Sequence, residues 1–108
     1  MRDRKAAEEA GRTAETVALW YLRLKGWHLL ARRYKCAFGE VDLIMRKGET
    51  TAFIEVKARA TLDGAVESVS PRQARRISAA ARSFLAQDRK AHMQACRFDI
   101  VAVSPYHW

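Results

Sequence analysis

Cysteine is scarce in this 108-residue chain: there are two, Cys36 and Cys96, too few for a disulfide scaffold, so a reducing, cytoplasmic compartment is the expectation. No apolar run approaches the roughly 18 residues a membrane span needs. The start, Met1-Arg2-Asp3-Arg4-Lys5, leads into an Ala/Glu stretch and not into a signal-peptide hydrophobic segment. Zinc-ligand spacing is lacking too. His92-x-x-x-Cys96 is the nearest pair and no Cys-x-x-Cys partners it; His28, Cys36 and His107 are scattered. Neither a Ser/His/Asp set nor a phosphate-binding glycine loop is visible. Acidic residues are in the minority, 12 against 20 Lys plus Arg, for a net charge of +8. Hydrophobic residues reach 49%, which supports a packed core and excludes simple disorder.

A small basic domain of this length, expected to be a single one over 1–108, points to a polyanionic partner. The basic residues concentrate at Arg32-Arg33-Tyr34-Lys35, at Arg72 to Arg76 and at Arg89-Lys90. Either they form a phosphate-binding surface or they are a solvated face that keeps the chain in solution.

Periodicity places a first helix over about residues 4–25. Ala10, Ala14, Val17, Ala18, Tyr21 and Leu22 form its apolar stripe, and Gly26 is its stop. A short strand over Trp27 to Tyr34 follows. Val41, Leu43 and Met45 then alternate with Glu40, Asp42 and Ile44, and Ala52, Ile54 and Val56 with Phe53, Glu55 and Lys57. Gly48-Glu49 between them suits a two-residue hairpin turn. In that register Val41 faces Val56, Leu43 faces Ile54 and Met45 faces Ala52 on one apolar side. Residues 59–69 read as an irregular loop around Asp63-Gly64. Ser70-Pro71-Arg72-Gln73 opens a second helix running to about Gln87, with Ser70 as N-cap and Gln73 at the capping-box position. Ala74, Ile77, Ala81, Phe84 and Leu85 are its apolar face. Arg97 to Val103 is a last strand. The order α-β-β-β-α-β predicts an α/β or α+β fold, a mixed sheet flanked by helices.

The same register sets Asp42 opposite Glu55, with Glu40 and Lys57 on that face. Directly opposed like charges are destabilising, and inside apolar strands they need a partner. A hard divalent cation, Mg²⁺ or Mn²⁺, meets that need with oxygen ligands, and Lys57 adds positive charge beside it. Pairing of the acids with Lys57 or Arg59 on an exposed face is the plainer alternative. Trp20, Tyr21, Trp27, Tyr34 and Phe38 can stack on bases, but core packing is the expectation for most of them.

Gly39-Glu40-Val41-Asp42-Leu43-Ile44 followed by Phe53-Ile54-Glu55-Val56-Lys57-Ala58-Arg59 closely resembles the PD-(D/E)XK nuclease core, which has a restriction-endonuclease-like fold. More narrowly, from Gly11-Arg12-Thr13-Ala14-Glu15 through Ser68-Val69-Ser70-Pro71 to Arg97–Val103, the chain resembles the YraN-type family of small predicted endonucleases, similar to archaeal Holliday-junction resolvases. The resemblance implies that Asp42 and Glu55 ligate the metal, that Lys57 is the catalytic lysine and that Glu15 completes the site. Family members often carry Lys where this chain has Gln73. They usually continue for a short segment beyond the last strand, whereas this sequence stops at Pro105-Tyr106-His107-Trp108. Resolvase-like nucleases often act as dimers, so a homodimer is an expectation. Arg32, Arg33, Lys35, Arg59, Arg72, Gln73 and Arg76 are the expected nucleic-acid contacts. The leading expectation is a metal-dependent endonuclease acting on DNA, branched DNA included. The alternatives are a non-catalytic nucleic-acid-binding module with the same fold, and a subunit whose basic face docks an acidic partner.

Overall fold

The computed structural model describes residues 4–92 and 95–104. Helix α1, Arg4–Leu24, ends where Gly26 takes a positive φ of 95° and Trp27 N–H returns to the Leu22 carbonyl, the glycine stop its position predicts. Strands β1 (His28–Cys36), β2 (Gly39–Lys47) and β3 (Thr50–Lys57) follow, the first running two residues further than its hydrophobic pattern suggests. Helix α2 (Leu62–Glu67), helix α3 (Pro71–Gln87), the single turn α4 (Arg89–His92) and strand β4 (Ala95–Ala102) complete the order. The four strands lie in the order β1-β2-β3-β4, with the first three antiparallel and β4 parallel to β3. This is the expected mixed sheet flanked by helices.

The hairpin register agrees with the sequence: Leu43 pairs with Ile54, Met45 with Ala52, and Lys47 with Thr50. The turn closes because Gly48 adopts φ 59°, the positive value that the first position of a Gly-X turn requires. Both faces of the sheet are covered. Leu43, Met45, Ala52 and Ile54 pack with Ala14, Ala18 and Leu19 of α1, while Ile44 and Phe53 pack with Ile77, Ala80 and Ala81 of α3.

Several expectations are corrected. Residues 59–69 are not an irregular loop throughout: α2 forms there, capped by Thr61, whose hydroxyl accepts from Gly64 N–H at 3.0 Å. Val41 does not join the Leu43 side opposite Val56. The β2–β3 ladder stops at Leu43–Ile54, and Val41 packs with Ile44, Phe53 and the α3 residues. The buried stripe of α1 is Ala14, Glu15, Ala18 and Leu19, with Leu22 half-buried, so Val17 and Tyr21 lie on the exposed side. Of the aromatic residues expected in the core, Trp27 and Tyr34 are half-buried but Trp20, Tyr21 and Phe38 are exposed. Cys36 is half-buried, and Cys96 is exposed. His107 lies outside the described residues. Among the described residues, no helix is long and apolar enough to cross a membrane.

Gly39 fixes how close α3 comes to β2. A Cβ there would stand 1.9 Å from the Arg76 carbonyl oxygen, so only a glycine lets the helix settle at this distance. Gly39 opens β2, and its structural duty there is this close approach.

Candidate metal centre and phosphate cleft

Three strand positions build the centre. Past the end of the β2–β3 ladder, Asp42 turns its carboxylate toward the neighbouring strand, and Val56 N–H donates to Asp42 Oδ2 at 2.8 Å. Glu55 is the next residue back along β3, on an interior strand with partners on both sides, and is only 7% exposed. Lys57, two positions on, brings Nζ to 3.6 Å from Glu55 Oε2. The hairpin ladder does not reach Asp42 and Glu55 as a pair, since it stops at Leu43–Ile54, yet the two acids interact with each other and with the lysine just past its end.

Burial is the main cause of the electrostatics here. It lifts the Glu55 carboxyl from its ordinary value to about 7, the Asp42 charge adds to the effect, and the Lys57 ammonium works against it. Burial also raises Asp42, opposed by the Val56 N–H, while the negative charge of Glu15 pushes it further up. The two carboxylates thus face one ammonium, and ionising both leaves uncompensated negative charge in a partly dry site.

That donor chemistry fits a hard cation. Among the described residues no group of three His, Cys, Asp or Glu side chains could hold a metal ion; the side chains here that could contribute to holding one are the Asp42 and Glu55 carboxylates. Mg²⁺ suits such a site, because it is commonly held by one or two carboxylates and keeps the rest of its shell as water or phosphate oxygen. The side chains border an open cleft of about 640 Å³ lined by Glu40, Asp42, Glu55, Ser70, Arg72, Gln73 and Arg76. A smaller cavity of about 190 Å³ shares Glu40 and Asp42 and is lined as well by Glu15, Arg33 and Lys35.

Glu15 does not face solvent from α1; it is 6% exposed. Arg32 Nε donates to its Oε1 at 2.6 Å and Arg33 Nε to the same oxygen at 3.1 Å. Arg33 sits within β1 at φ 54°, a left-handed backbone that a bulky residue keeps only when its surroundings hold it. The Glu15 carboxylate is one such hold. Thr16, which no sequence signal marks, accepts from Arg32 Nη2 at 2.9 Å.

The expected nucleic-acid contacts divide by position. Arg72, Gln73 and Arg76 line the large cleft, with Arg76 Nη2 3.7 Å from Glu40 Oε1. Arg33 and Lys35 line the smaller cavity, and Arg32 is tied to α1. Arg59, just beyond β3, belongs to neither lining and turns its guanidinium onto the Ala58 carbonyl at 3.0 Å. Gln73 does not complete a capping box. Its side chain reaches across to β3, where Nε2 donates to Glu55 Oε2 at 2.5 Å and Oε1 accepts from Lys57 Nζ at 3.0 Å.

The model of the uncharacterised protein family UPF0102 matches residues 14–103, from α1 through β4. A UPF0102 protein of Methylocella silvestris is 48% identical over 106 residues, covering 98% of this chain and 86% of that protein. One from Methylorubrum extorquens is 49% identical over 105 residues, 97% of this chain and 82% of its own length. One from Bartonella tribocorum is 44% identical over 98 residues, 91% and 75% respectively.

Proposed function

This chain belongs to the uncharacterised protein family UPF0102, and we propose that it is a divalent-metal-dependent endonuclease that hydrolyses phosphodiester bonds in DNA, structured or branched DNA included. The observation that carries this reading is that the Asp42 and Glu55 carboxylates line one cleft with Arg72 and Arg76, and that the Lys57 ammonium stands 3.6 Å from the Glu55 carboxylate. The likeness of the Asp42 and Glu55-x-Lys57 segments to the PD-(D/E)XK nuclease core supports it. So does the charge of +8, which favours a polyanionic substrate.

Asp42 and Glu55 are the residues that would hold Mg²⁺ or Mn²⁺. Bound there, the cation supplies Lewis acidity at the phosphoryl oxygen and acidifies water beside it. Lys57 donates hydrogen bonds that orient the attacking water or stabilise the charge developing on the phosphoryl oxygens. Arg72 and Arg76 pair with backbone phosphates along the cleft, and Arg33 and Lys35 do so on the far side of Asp42. Glu15 enters this set by resemblance and by its place across the small cavity from Asp42, where it also steadies Arg32 and Arg33. Water oxygen forms the new bond to phosphorus, the bridging P–O bond breaks, and the products are a phosphate monoester and an alcohol.

The test is cleavage of single-stranded, duplex and four-way-junction DNA at low salt by wild type and Glu55→Ala, with Mg²⁺, Mn²⁺ or EDTA. Metal-dependent cutting that disappears in the variant is expected. Salt-sensitive DNA binding with no cutting under either metal would replace this reading with a non-catalytic binding module. Absence of binding altogether would favour a subunit that docks an acidic protein.

A further inference from the structure

Gln73 has a role that neither the helix cap nor the cleft rim accounts for. It is the third residue of α3, and Ser70-x-x-Gln73 has capping-box spacing, in which the glutamine side chain turns back to the N-cap N–H. Here Ser70 Oγ accepts from the Gln73 backbone N–H at 3.0 Å, and the side chain takes no part in the cap. It spans instead from Glu55 Oε2 to Lys57 Nζ. Glutamine suits this bridge because one uncharged group offers a donor to the carboxylate and an acceptor to the ammonium. A lysine, which family members often carry here, could donate to Glu55 but offers Lys57 no acceptor, and a glutamate would repel Glu55.

The bridge also keeps two charges apart. Lys57 Nζ stands 3.6 Å from Glu55 Oε2, beyond the roughly 2.7–2.9 Å of a charge-assisted hydrogen bond. With the amide gone, the ammonium is free to close onto Oε2 and to compete with a cation for the charge of the carboxylate. The geometry points to Gln73 as a positioning residue that holds Glu55 and Lys57 in a fixed separation, its amide taking one hydrogen-bond site on Oε2 and keeping the ammonium from closing onto the carboxylate that would hold a divalent cation. This inference rests on the metal-dependent reading of the site and adds a residue to it. Outer partners that fix a ligating carboxylate typically cost about 10- to 100-fold in metal affinity or activity when removed.

The experiment titrates EDTA-stripped protein with Mn²⁺ and reads the free ion by electron paramagnetic resonance. The proteins are wild type, Gln73→Met, Lys57→Ala and the double variant. Gln73→Met keeps length and approximate volume, drops both hydrogen bonds and leaves the Ser70 cap in place; circular dichroism confirms folding. Gln73→Ala is the second variant should methionine perturb the site. Mn²⁺ affinity is expected to fall about 10-fold or more in Gln73→Met. In the Lys57→Ala background the same substitution should cost much less, since no ammonium remains to close onto Glu55. In cleavage assays kcat should fall with KM for DNA unchanged. Unchanged Mn²⁺ affinity in both Gln73 variants, with wild type binding the ion, overturns this inference alone. Equal losses with and without Lys57 overturn it too. A wild type that binds no Mn²⁺ defeats the metal-dependent reading itself, and this inference with it.

Discussion

Val56 N–H donates to Asp42 Oδ2 at 2.8 Å, joining a residue one past the end of the β2–β3 ladder on β2 to one two past it on β3. A side-chain oxygen thus serves as the next partner for β3, and the Asp42 carboxylate is anchored from both strands. The bond satisfies a main-chain donor and aims the carboxylate in the same act.

Asp42→Asn keeps an oxygen for Val56 N–H and loses the charge, whereas Asp42→Ala loses both. We expect the asparagine variant to be the more stable of the two by about 1 kcal/mol, the net worth of one such hydrogen bond. Both should lose Mn²⁺ binding. Urea denaturation in EDTA measures the first, and Mn²⁺ titration the second.

The raised Glu55 carboxyl makes metal-free stability depend on pH. The folded state binds this proton more tightly than the unfolded chain does. The associated stability is therefore complete below about 4.5 and is lost as pH rises through about 7. Glu55→Gln removes the titration, so its melting temperature in EDTA should exceed that of wild type at pH 8, by about 5 °C, with the gap closing toward pH 5. Mg²⁺ should raise the wild-type value at pH 8 and leave the variant nearly unmoved. Melting curves at three pH values decide it; a gap that widens toward pH 5 would contradict the assignment.

How much of this was legible in the sequence depended on whether the deciding contact was local. The hairpin register follows from strict alternation around Gly48, and α3 follows from Ser70-Pro71 with its apolar spacing. Glu15 was harder to read, because only Arg32 and Arg33 approaching from β1 make a buried glutamate tolerable on α1. Six residues with a glycine among them give α2 too short a pattern to stand out. Val41 changes side because the ladder ends beside it, which alternation alone does not signal. For Gln73 the sequence offered a sound local use in the cap, and the structure gives its side chain a distant one.

Gly39→Ala should be among the more damaging small substitutions in the chain. The added methyl meets a helix carbonyl 1.9 Å away, and main chain cannot yield as a side-chain tip can. Overpacking of this kind typically costs about 1–3 kcal/mol. The displaced α3 also carries Arg72, Gln73 and Arg76, so DNA binding should weaken along with stability. Urea denaturation and a fluorescence-anisotropy titration report the two effects.

Arg72→Ala tests the rim of the cleft. If this guanidinium neutralises one phosphate, the slope of log binding constant against log salt should shrink by about 1, with affinity falling alike for different DNA sequences. Arg59→Ala is the comparison, since that side chain lines neither cavity and should change the slope less. Anisotropy titrations across a salt series measure both.

Strand β3 runs between β2 and β4, but its pairing with β2 ends at Ile54, so Glu55 and Lys57 are held in the sheet by β4 alone. Edge strand β4 is therefore the clamp on both positions, and opening of that one edge would release them before the rest of the sheet parts. Amide exchange at Glu55 and Lys57 should then be faster than at Ala52 and Ile54, which are laddered on both sides, and gentle heating should loosen the site before it melts the fold.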